Sequence, residues 1–217
     1  MVLCAATPVE TAMRISLNQV GKRYQQYWVF KGLNYTFEPG KQYAILGANG
    51  SGKSTLLRIL AGMQNPNKGT IDYNLNGVTI HPEKLFSNVS YSAPGMDIIE
   101  EMTLTEFLSF HFTFKKIVQG FEVKKIIEAM GLQAVSHKYI HDFSSGMKQR
   151  VKLAQAFFTD TPFLLLDEPC SNLDLQGVQT YQDWLKQYTT NRLVIIASND
   201  EREYEGVKDV IVIQDYK

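Results

Sequence analysis

The chain has 217 residues, which suits one domain of ordinary size, and its 22 basic and 22 acidic residues give a formal net charge of zero. A balanced charge provides no overall field to attract nucleic acid or an anionic membrane. No apolar run approaches the roughly 18 residues of a membrane-spanning helix, and the N-terminus lacks the pattern of a signal peptide. Cys4 and Cys170 lie far apart in the sequence, which predicts no disulfide framework and favours a reducing, cytosolic setting.

Short strands are predicted near the N-terminus. Residues 13–17 and 33–37 each alternate apolar and polar side chains, as a strand with one buried face does. A proline–glycine turn separates the second of these from an apolar strand at 43–46, and residues 69–73 are another extended candidate.

A glycine-rich segment follows the strand at 43–46 and leads into an apolar stretch with a helical pattern. A strand, a glycine-rich turn and a helix start are the context of a phosphate-binding P-loop, in which backbone N–H groups and the helix dipole bind an anion. Lys53 is expected to reach the β- and γ-phosphates and the Ser54 hydroxyl to bind Mg²⁺. The predicted nucleotide-binding residues here are Gly47, Asn49, Gly50, Ser51, Gly52, Lys53, Ser54 and Thr55.

The middle of the chain changes to a helical pattern. Thr103 and Glu106 have the spacing of a capping box that opens a helix, and the aromatic side chains at 107, 110, 112 and 114 are expected to pack within it. A second helix is predicted over 123–130, ending at Gly131.

The last third returns to alternating strands and helices. Apolar strands are predicted at 163–166, 193–197 and 210–213, with a helix near 178–187. Continuous apolar strands favour a parallel sheet that is covered on both faces.

The strand at 163–166 ends in two carboxylates. In a P-loop fold, Asp167 is placed to reach Mg²⁺ directly or through water, and Glu168 can polarise an attacking water as a general base. Apolar residues followed by two acids are common by themselves. The P-loop upstream makes this pair specific.

A further helix start lies just before that strand, at residues 143–150. Ser144 and the small residues after it leave backbone N–H groups free for an anion, although such a segment is also an ordinary helix N-cap. Its N-terminus and the P-loop helix cannot serve the same phosphate unless a second copy of the chain faces the first.

The order of these motifs resembles the nucleotide-binding domain of ATP-binding cassette (ABC) proteins. The family's signature is usually Leu-Ser-Gly-Gly-Gln, and here Phe-Ser-Ser-Gly-Met keeps Ser144 and the second glycine, Gly146. The stretch from 171 to Asp174 matches the family's D-loop. Tyr24 lies where the family places an aromatic that stacks on adenine, and the alternatives are the aromatics at 27 and 28.

The resemblance covers nearly the entire chain and implies an α/β fold. It implies a P-loop NTPase core with a mainly parallel sheet, an antiparallel β-subdomain and a helical subdomain at about 96–144, all within one domain spanning 1–217. It also implies ATP and Mg²⁺ as ligands and a homodimer, or a heterodimer with a similar subunit, in which Ser144 and Gly146 complete the partner's site. The expected membrane partner is a transmembrane permease subunit, with this chain on the inner face of the cell membrane and no nucleic-acid partner.

Two positions depart from the family pattern. Pro94 stands where the family has a glutamine that contacts Mg²⁺ and the attacking water, and proline has no side-chain donor or acceptor. Asn199 stands where relatives carry a histidine that contacts the γ-phosphate, and its amide is never a cation. Losing such a charge-assisted contact costs on the order of 2–4 kcal/mol of transition-state stabilisation, which predicts a slow ATPase.

Three other functions are compatible with parts of the sequence. A soluble ABC ATPase acting on nucleic acid or the ribosome typically has a coiled-coil insertion or a second cassette, and neither is present here. A P-loop kinase would leave the serine–glycine signature and the D-loop match unexplained. A non-hydrolysing, ATP-responsive regulatory subunit is favoured by Pro94 and Asn199.

Overall fold

The computed structural model describes residues 12–217, and two sheets with five helices account for most of them. The strands are β1 (Met13–Tyr24), β2 (Tyr27–Phe37), β3 (Gln42–Leu46), β4 (Lys68–Leu75), β5 (Val78–Ile80), β6 (Val89–Ser92), β7 (Phe163–Asp167), β8 (Leu193–Ser198) and β9 (Asp209–Val212). The helices are α1 (Lys53–Leu60), α2 (Leu104–Phe114), α3 (Val123–Ala129), α4 (Ser145–Phe157) and α5 (Leu175–Gln187).

The central sheet has five strands in the order β6-β7-β8-β3-β9, and every pairing within it is parallel. All residues of β7 and β8 are buried, because helices cover both faces of a parallel sheet. In parallel strands the carboxyl ends meet at one edge, so the segments that follow β3, β6, β7 and β8 all emerge on the same side. Those four segments contain the predicted site residues of the core.

The second sheet has four antiparallel strands in the order β2-β1-β4-β5. Irregular register between β1 and both of its neighbours marks bulges near residues 18–22. A bulge bends a strand and increases its twist. The inner face of this sheet packs on α1 and the parallel sheet in one shared core.

A second hydrophobic core lies on the other face of the parallel sheet, where α2, α3, α4 and α5 meet. The predicted capping box is present: the Thr103 hydroxyl accepts the Glu106 N–H, and the Glu106 carboxylate accepts the Thr103 N–H at 2.9 Å. The expectation that the aromatics of α2 all pack inside is only half right. Phe107 is buried, but Phe110 and Phe114 are exposed and contact each other edge to face.

The predicted fold class is therefore confirmed, with two strands added. The short β5 and β6 were not predicted, and β1 and β2 are far longer than the segments at 13–17 and 33–37. None of the helices in residues 12–217 is long and apolar enough to cross a bilayer. Cys170 is a buried thiol, whereas Cys4 and the N-terminal segment considered as a signal peptide lie outside the described residues.

Candidate functional site

The P-loop forms a tight turn between β3 and α1. Gly52 is the N-cap of α1 with a φ of 112°, and a Cβ there would lie 2.4 Å from a methyl group of Val29. Only glycine fits this position, since both the backbone angle and the space exclude a side chain. The turn is closed by the Ser51 N–H, which donates to the Ala48 carbonyl at 3.0 Å.

The ammonium group of Lys53 lies inside this turn. The residue is 4% exposed, and Nζ donates to the carbonyl oxygens of Gly47 at 2.7 Å and Ala48 at 3.3 Å. The Ser51 hydroxyl is also buried and has no hydrogen-bond partner among residues 12–217. A buried cation held only by neutral carbonyls, beside an unsatisfied hydroxyl, is suited to an incoming anion.

Asp167 ends β7 next to the start of α1. It is 4% exposed, and its Oδ1 is buried with no hydrogen-bond partner in the described chain. Burial raises the pKa of Asp167, while the Ser54 hydroxyl and the cations Arg58 and Lys53 oppose that rise. A buried carboxylate oxygen near a hydroxyl fits a hard cation such as Mg²⁺.

The protein supplies few metal ligands at this point. No group of three or more His, Cys, Asp or Glu side chains that could hold a metal exists within residues 12–217. A magnesium ion held by Ser54 and Asp167 would therefore take its other ligands from phosphate and water, as Mg²⁺ usually does.

Glu168 follows with a left-handed backbone, at a φ of 42°. Its N–H donates to the Ala197 carbonyl of the neighbouring strand β8 at 2.9 Å, which fixes the turn that the unusual angle creates. The half-buried residue lines a cavity of about 400 Å³ together with Ser54 and Asp167. A non-glycine residue in this conformation is held there by its surroundings, and such strain is concentrated at functional sites.

Pro94 lines the same cavity, two residues after the end of β6. The backbone there is held by Lys152 of α4, whose Nζ donates to the Pro94 carbonyl at 2.5 Å. On the same face of α4, Lys148 pairs with Glu100 at 2.7 Å. Pro94 therefore lies in the cavity of Asp167 and Glu168, and two lysines attach its loop to α4.

Asn199 follows β8 and reaches the P-loop directly. Its side-chain amide donates to the Asn49 Oδ1 at 3.0 Å. The two segments were predicted to lie together at the phosphate end of the site, and the structure brings them into contact.

Tyr24 lies at the end of β1, and the residue is 48% exposed. The hydroxyl accepts a hydrogen bond from the Gln64 amide at 3.0 Å. This bond lowers the pKa of Tyr24, and the Thr55 hydroxyl and nearby cations add smaller effects in the same direction. The Lys22 ammonium lies 5.6 Å from the ring centroid. Of the two alternatives, Trp28 packs against the backbone of β1 and Tyr27 is 80% exposed. Tyr24 is the aromatic that lies near Thr55 of α1.

The signature segment and the D-loop pack against each other. Ser144 is the N-cap of α4 and accepts the Met147 N–H at 3.3 Å, and a Cβ on Gly146 would lie 2.8 Å from the Asn172 carbonyl oxygen. Asp174 caps α5 through the Gly177 N–H at 2.8 Å.

An ion pair reinforces this packing, since Arg150 and Asp174 lie 2.9 Å apart. The Gly177 N–H, followed by Arg150, lowers the pKa of Asp174. Within residues 12–217, no side-chain hydrogen bond joins Ser144 or Asp174 to the P-loop.

Sequence reasoning missed several residues of the site. Arg58 and Tyr91 line the cavity beside Asp167, and burial raises the pKa of Tyr91 to about 12. The one available signal was spacing, because Arg58 lies one helical turn after Ser54 on α1 and therefore on the same face. No pattern indicated that Lys152 would reach the loop of Pro94.

This arrangement of a P-loop and an acidic strand end, at the carboxyl edge of a parallel sheet, defines a P-loop nucleotide-binding domain. The sequence profile of the ABC transporter family matches residues 30–171. The chain therefore belongs to the ABC transporter family, and to its ATP-binding proteins in particular.

Individual relatives agree with this. The chain is 36% identical over 205 residues to the energy-coupling factor transporter ATP-binding protein EcfA1 of Thermotoga maritima, covering 92% of this chain and 78% of the relative. It is 30% identical over 209 residues to the sulfate/thiosulfate import ATP-binding protein CysA of Mesostigma viride, covering 93% of this chain but 59% of that protein. The chain thus spans about three fifths of the length of the latter.

Solved structures show the same fold. A dimeric bacterial ABC transporter cassette superimposes with a TM-score of 0.77 at 21% identity, covering 91% of this chain and 93% of that one. At this identity the likeness establishes the fold of the cassette.

Proposed function

We propose that this protein is the ATP-binding and hydrolysing subunit of an ABC transporter. Two such subunits would close around ATP and drive a separate transmembrane permease subunit, on the cytoplasmic face of the membrane. The observation that carries the proposal is the single cavity that Ser54, Asp167 and Glu168 share beside the buried Lys53. It combines an anion cradle, two magnesium ligands and a carboxylate base at one edge of the sheet.

Each of these residues has a distinct role in the proposal. The P-loop amides and Lys53 bind the phosphates, and Lys53 exchanges its bonds to the Gly47 and Ala48 carbonyls for the anion. Ser54 and Asp167 would hold Mg²⁺, which would supply positive charge to offset that of the phosphates.

The adenine and the attacking water are positioned by other residues. Tyr24 offers an exposed ring for stacking on adenine, close to Thr55. Glu168 is the general base that orients and deprotonates the water, as its place beside Asp167 favours.

Turnover is proposed to be slow because the remaining contacts to the γ-phosphate and the water are weaker than usual. Asn199 is in contact with Asn49 of the P-loop and can donate one neutral hydrogen bond to phosphate. Pro94 offers only its carbonyl oxygen, which Lys152 already occupies. The loss of one charged contact is the larger effect, on the order of 2–4 kcal/mol.

Closure of two subunits would complete each site. Ser144 is exposed at the start of α4, so its hydroxyl and the amides near Gly146 are available to the γ-phosphate held by a second chain. Leu175, the first residue of α5 directly after the D-loop residue Asp174, is 82% exposed. An exposed leucine adjacent to a charged helix cap is suited to an interface with a second cassette.

A candidate permease surface lies on the other side of Pro94. An apolar cavity of about 230 Å³ extends from Tyr91 and Met96 towards α2, and its rim includes Met63, Phe86 and Phe114, which are 59%, 65% and 66% exposed. Exposed methionine and phenylalanine side chains around an apolar groove are typical of a docking site. The partner that fits is a short segment of the permease subunit with an apolar face.

The test is gel filtration of Glu168→Gln with and without Mg-ATP. Removing the base should trap ATP and shift the protein from monomer to dimer. Wild type at saturating Mg-ATP should release phosphate slowly, whereas Glu168→Gln should release none. The matched control is Glu128→Gln, an exposed acid on α3 that should behave as wild type. A Glu168→Gln protein that binds Mg-ATP but elutes as a monomer would remove the homodimer from the proposal.

The second candidate is a subunit that binds ATP as a regulatory signal without hydrolysing it. The neutral Asn199 and the occupied carbonyl of Pro94 favour it. Phosphate release distinguishes the two: a wild type that dimerises on ATP but releases no phosphate is the regulatory protein.

A further inference from the structure

One buried carboxylate near the site takes no part in the proposed chemistry. Glu203 lies in a short 3-10 turn after β8 and is 4% exposed. Its Oε1 accepts the Cys170 N–H at 2.7 Å, and its Oε2 accepts the Ser198 hydroxyl. The backbone carbonyl of the same residue accepts the hydroxyl of the buried Tyr181 at 2.5 Å. Three segments, the turn after β7, the end of β8 and helix α5, therefore converge on Glu203.

The partners of this carboxylate connect it to the site. Cys170 lies two residues after Glu168, in the turn that leaves β7, and Ser198 directly precedes Asn199 at the end of β8. Within the described residues, one other hydrogen bond joins the two turns beyond the last pair of the sheet. The Glu168 N–H donates to the Ala197 carbonyl at 2.9 Å. The carboxylate thus fixes the two turns to each other beyond the point where the sheet ends.

Burial of this group would be costly if it served packing alone. A carboxyl group removed from water needs hydrogen bonds to offset the lost hydration, and an apolar side chain of similar size would need none. The basic residue next to it in sequence, Arg202, is itself exposed and paired with Asp200 at 2.5 Å. Both acceptor atoms of Glu203 are instead used on the two segments that flank the candidate catalytic residues.

We propose that Glu203 is a positioning residue for ATP hydrolysis, which holds the turn of Glu168 and the turn of Asn199 at a fixed separation. The inference rests on the proposed ATPase function, because positioning these residues matters only if phosphate is cleaved. A displacement of about 1 Å in a catalytic group can lower a rate by about two orders of magnitude, so a loosened turn should affect turnover strongly. Nucleotide binding through the P-loop should change little, since no contact of the Glu203 carboxylate reaches the P-loop.

The hydrogen bonds suggest a discriminating pair of variants. In Glu203→Gln the amide oxygen can still accept the Cys170 N–H, and the amide nitrogen can donate to the Ser198 hydroxyl oxygen. That hydroxyl retains a second acceptor, because the Asp200 carbonyl lies 3.2 Å away. Glu203→Ala removes both bonds. The matched control is Glu201→Ala, an exposed acid in the same turn.

The experiment measures kcat and the KM for Mg-ATP in these variants. Glu203→Ala should lower kcat by about tenfold or more with KM within about twofold, whereas Glu203→Gln should stay within about threefold of wild type. Wild-type kcat in Glu203→Ala, or equal losses in the two variants, would overturn the inference. If Glu203→Ala does not fold, Ser198→Ala removes one of the two bonds at little cost in volume and should lower kcat severalfold; an unchanged kcat there would also overturn it.

A second readout does not depend on ATP. Hydrogen exchange in the peptide containing Cys170, measured on the nucleotide-free protein, should be faster in Glu203→Ala and unchanged in Glu203→Gln. Absence of phosphate release by wild type would count against the proposed function. Hydrogen exchange would still test, independently, whether the Glu203 carboxylate holds the turn of Cys170. Equal exchange in wild type and Glu203→Ala would show that the carboxylate does not hold the turn.

Discussion

The two sides of the candidate site differ in how closely they keep the family's chemistry. The cradle side, made by the P-loop, α1 and Asp167, has every expected residue, with the buried Lys53 at its centre. The proposed hydrolysis side, made by the loops of Pro94 and Asn199, has a proline and a neutral amide where the family pattern predicts an amide side chain and an ionisable ring. If the proposed function is right, this difference predicts that binding and hydrolysis are separable, with ordinary ATP affinity together with slow turnover.

The two sides also differ in how they are held. The cradle is stabilised locally, by a glycine turn and the start of α1. The hydrolysis side is held by residues distant in sequence, Lys152 on the Pro94 carbonyl and Glu203 on the turn after Glu168. Substitutions far away in sequence should consequently affect turnover more than binding.

The largest effect is expected from Lys53→Ala, which would break the cradle side. The variant loses a charge-assisted contact to the phosphates, so its affinity for Mg-ATP should fall by at least about 100-fold. Isothermal titration calorimetry provides the measurement, and Lys186→Ala, an exposed lysine on α5, is the control. Unchanged ATP affinity in Lys53→Ala would show that the P-loop is not the binding element.

The next largest effect is a pH dependence of the free energy of unfolding, caused by Glu203, which supports the hydrolysis side. Burial raises the pKa of Glu203 from an ordinary 4.5 to about 7, with Asp200 and Glu168 adding to the rise while the bonds from Ser198 and Cys170 oppose it. Because the folded state binds this proton more tightly than the unfolded chain does, the contribution to stability is full below about pH 4.5 and is lost as pH rises through 7.

The comparison with Glu203→Gln isolates this contribution. Between pH 5 and pH 8 the free energy of unfolding of wild type should decline relative to Glu203→Gln, by up to about 3 kcal/mol. Urea unfolding at a series of pH values measures it. Parallel pH profiles for the two proteins would contradict the raised pKa.

A smaller effect, of opposite sign, is expected from Asn199→His, which would restore the hydrolysis side. A ring N–H facing the γ-phosphate should raise kcat by about 30-fold, the lower end of the 2–4 kcal/mol assigned to this contact, with the affinity for ATP little changed. Steady-state phosphate release measures it, with Glu168→Gln as the inactive reference. The explanation for slow hydrolysis would be refuted if Asn199→His turns over at the wild-type rate while Glu168→Gln is inactive.

The smallest effect is expected from Pro94→Gln. A glutamine side chain adds a neutral hydrogen bond near the water, worth about 1 kcal/mol, and leaves the carbonyl that Lys152 holds, so kcat should rise about fivefold. Gly95→Ala is the adjacent control, because a Cβ there meets nothing within 4 Å. A decrease in kcat for Pro94→Gln would mean that the loop requires the rigidity of proline.

Much of this molecule could be predicted from local patterns. The P-loop residues, the capping box at Thr103, and the buried strands β7 and β8 each follow from a few neighbouring side chains. The prediction was incomplete where the pattern was short or irregular. Strand β6 has four residues, and the bulges of β1 interrupt its alternation, so periodicity could not define either.

The amino-acid sequence by itself determined the fold class, the phosphate cradle and the acidic pair at 167–168, because each depends on residues that are adjacent in the chain. Only the tertiary structure decided that Lys152 occupies the Pro94 carbonyl, that Asn199 touches Asn49, and that Glu203 joins the ends of β7 and β8. Three of these four hydrogen bonds join residues that are 33 to 150 positions apart in the sequence. Such pairings depend on how strands and helices pack and not on any local spacing.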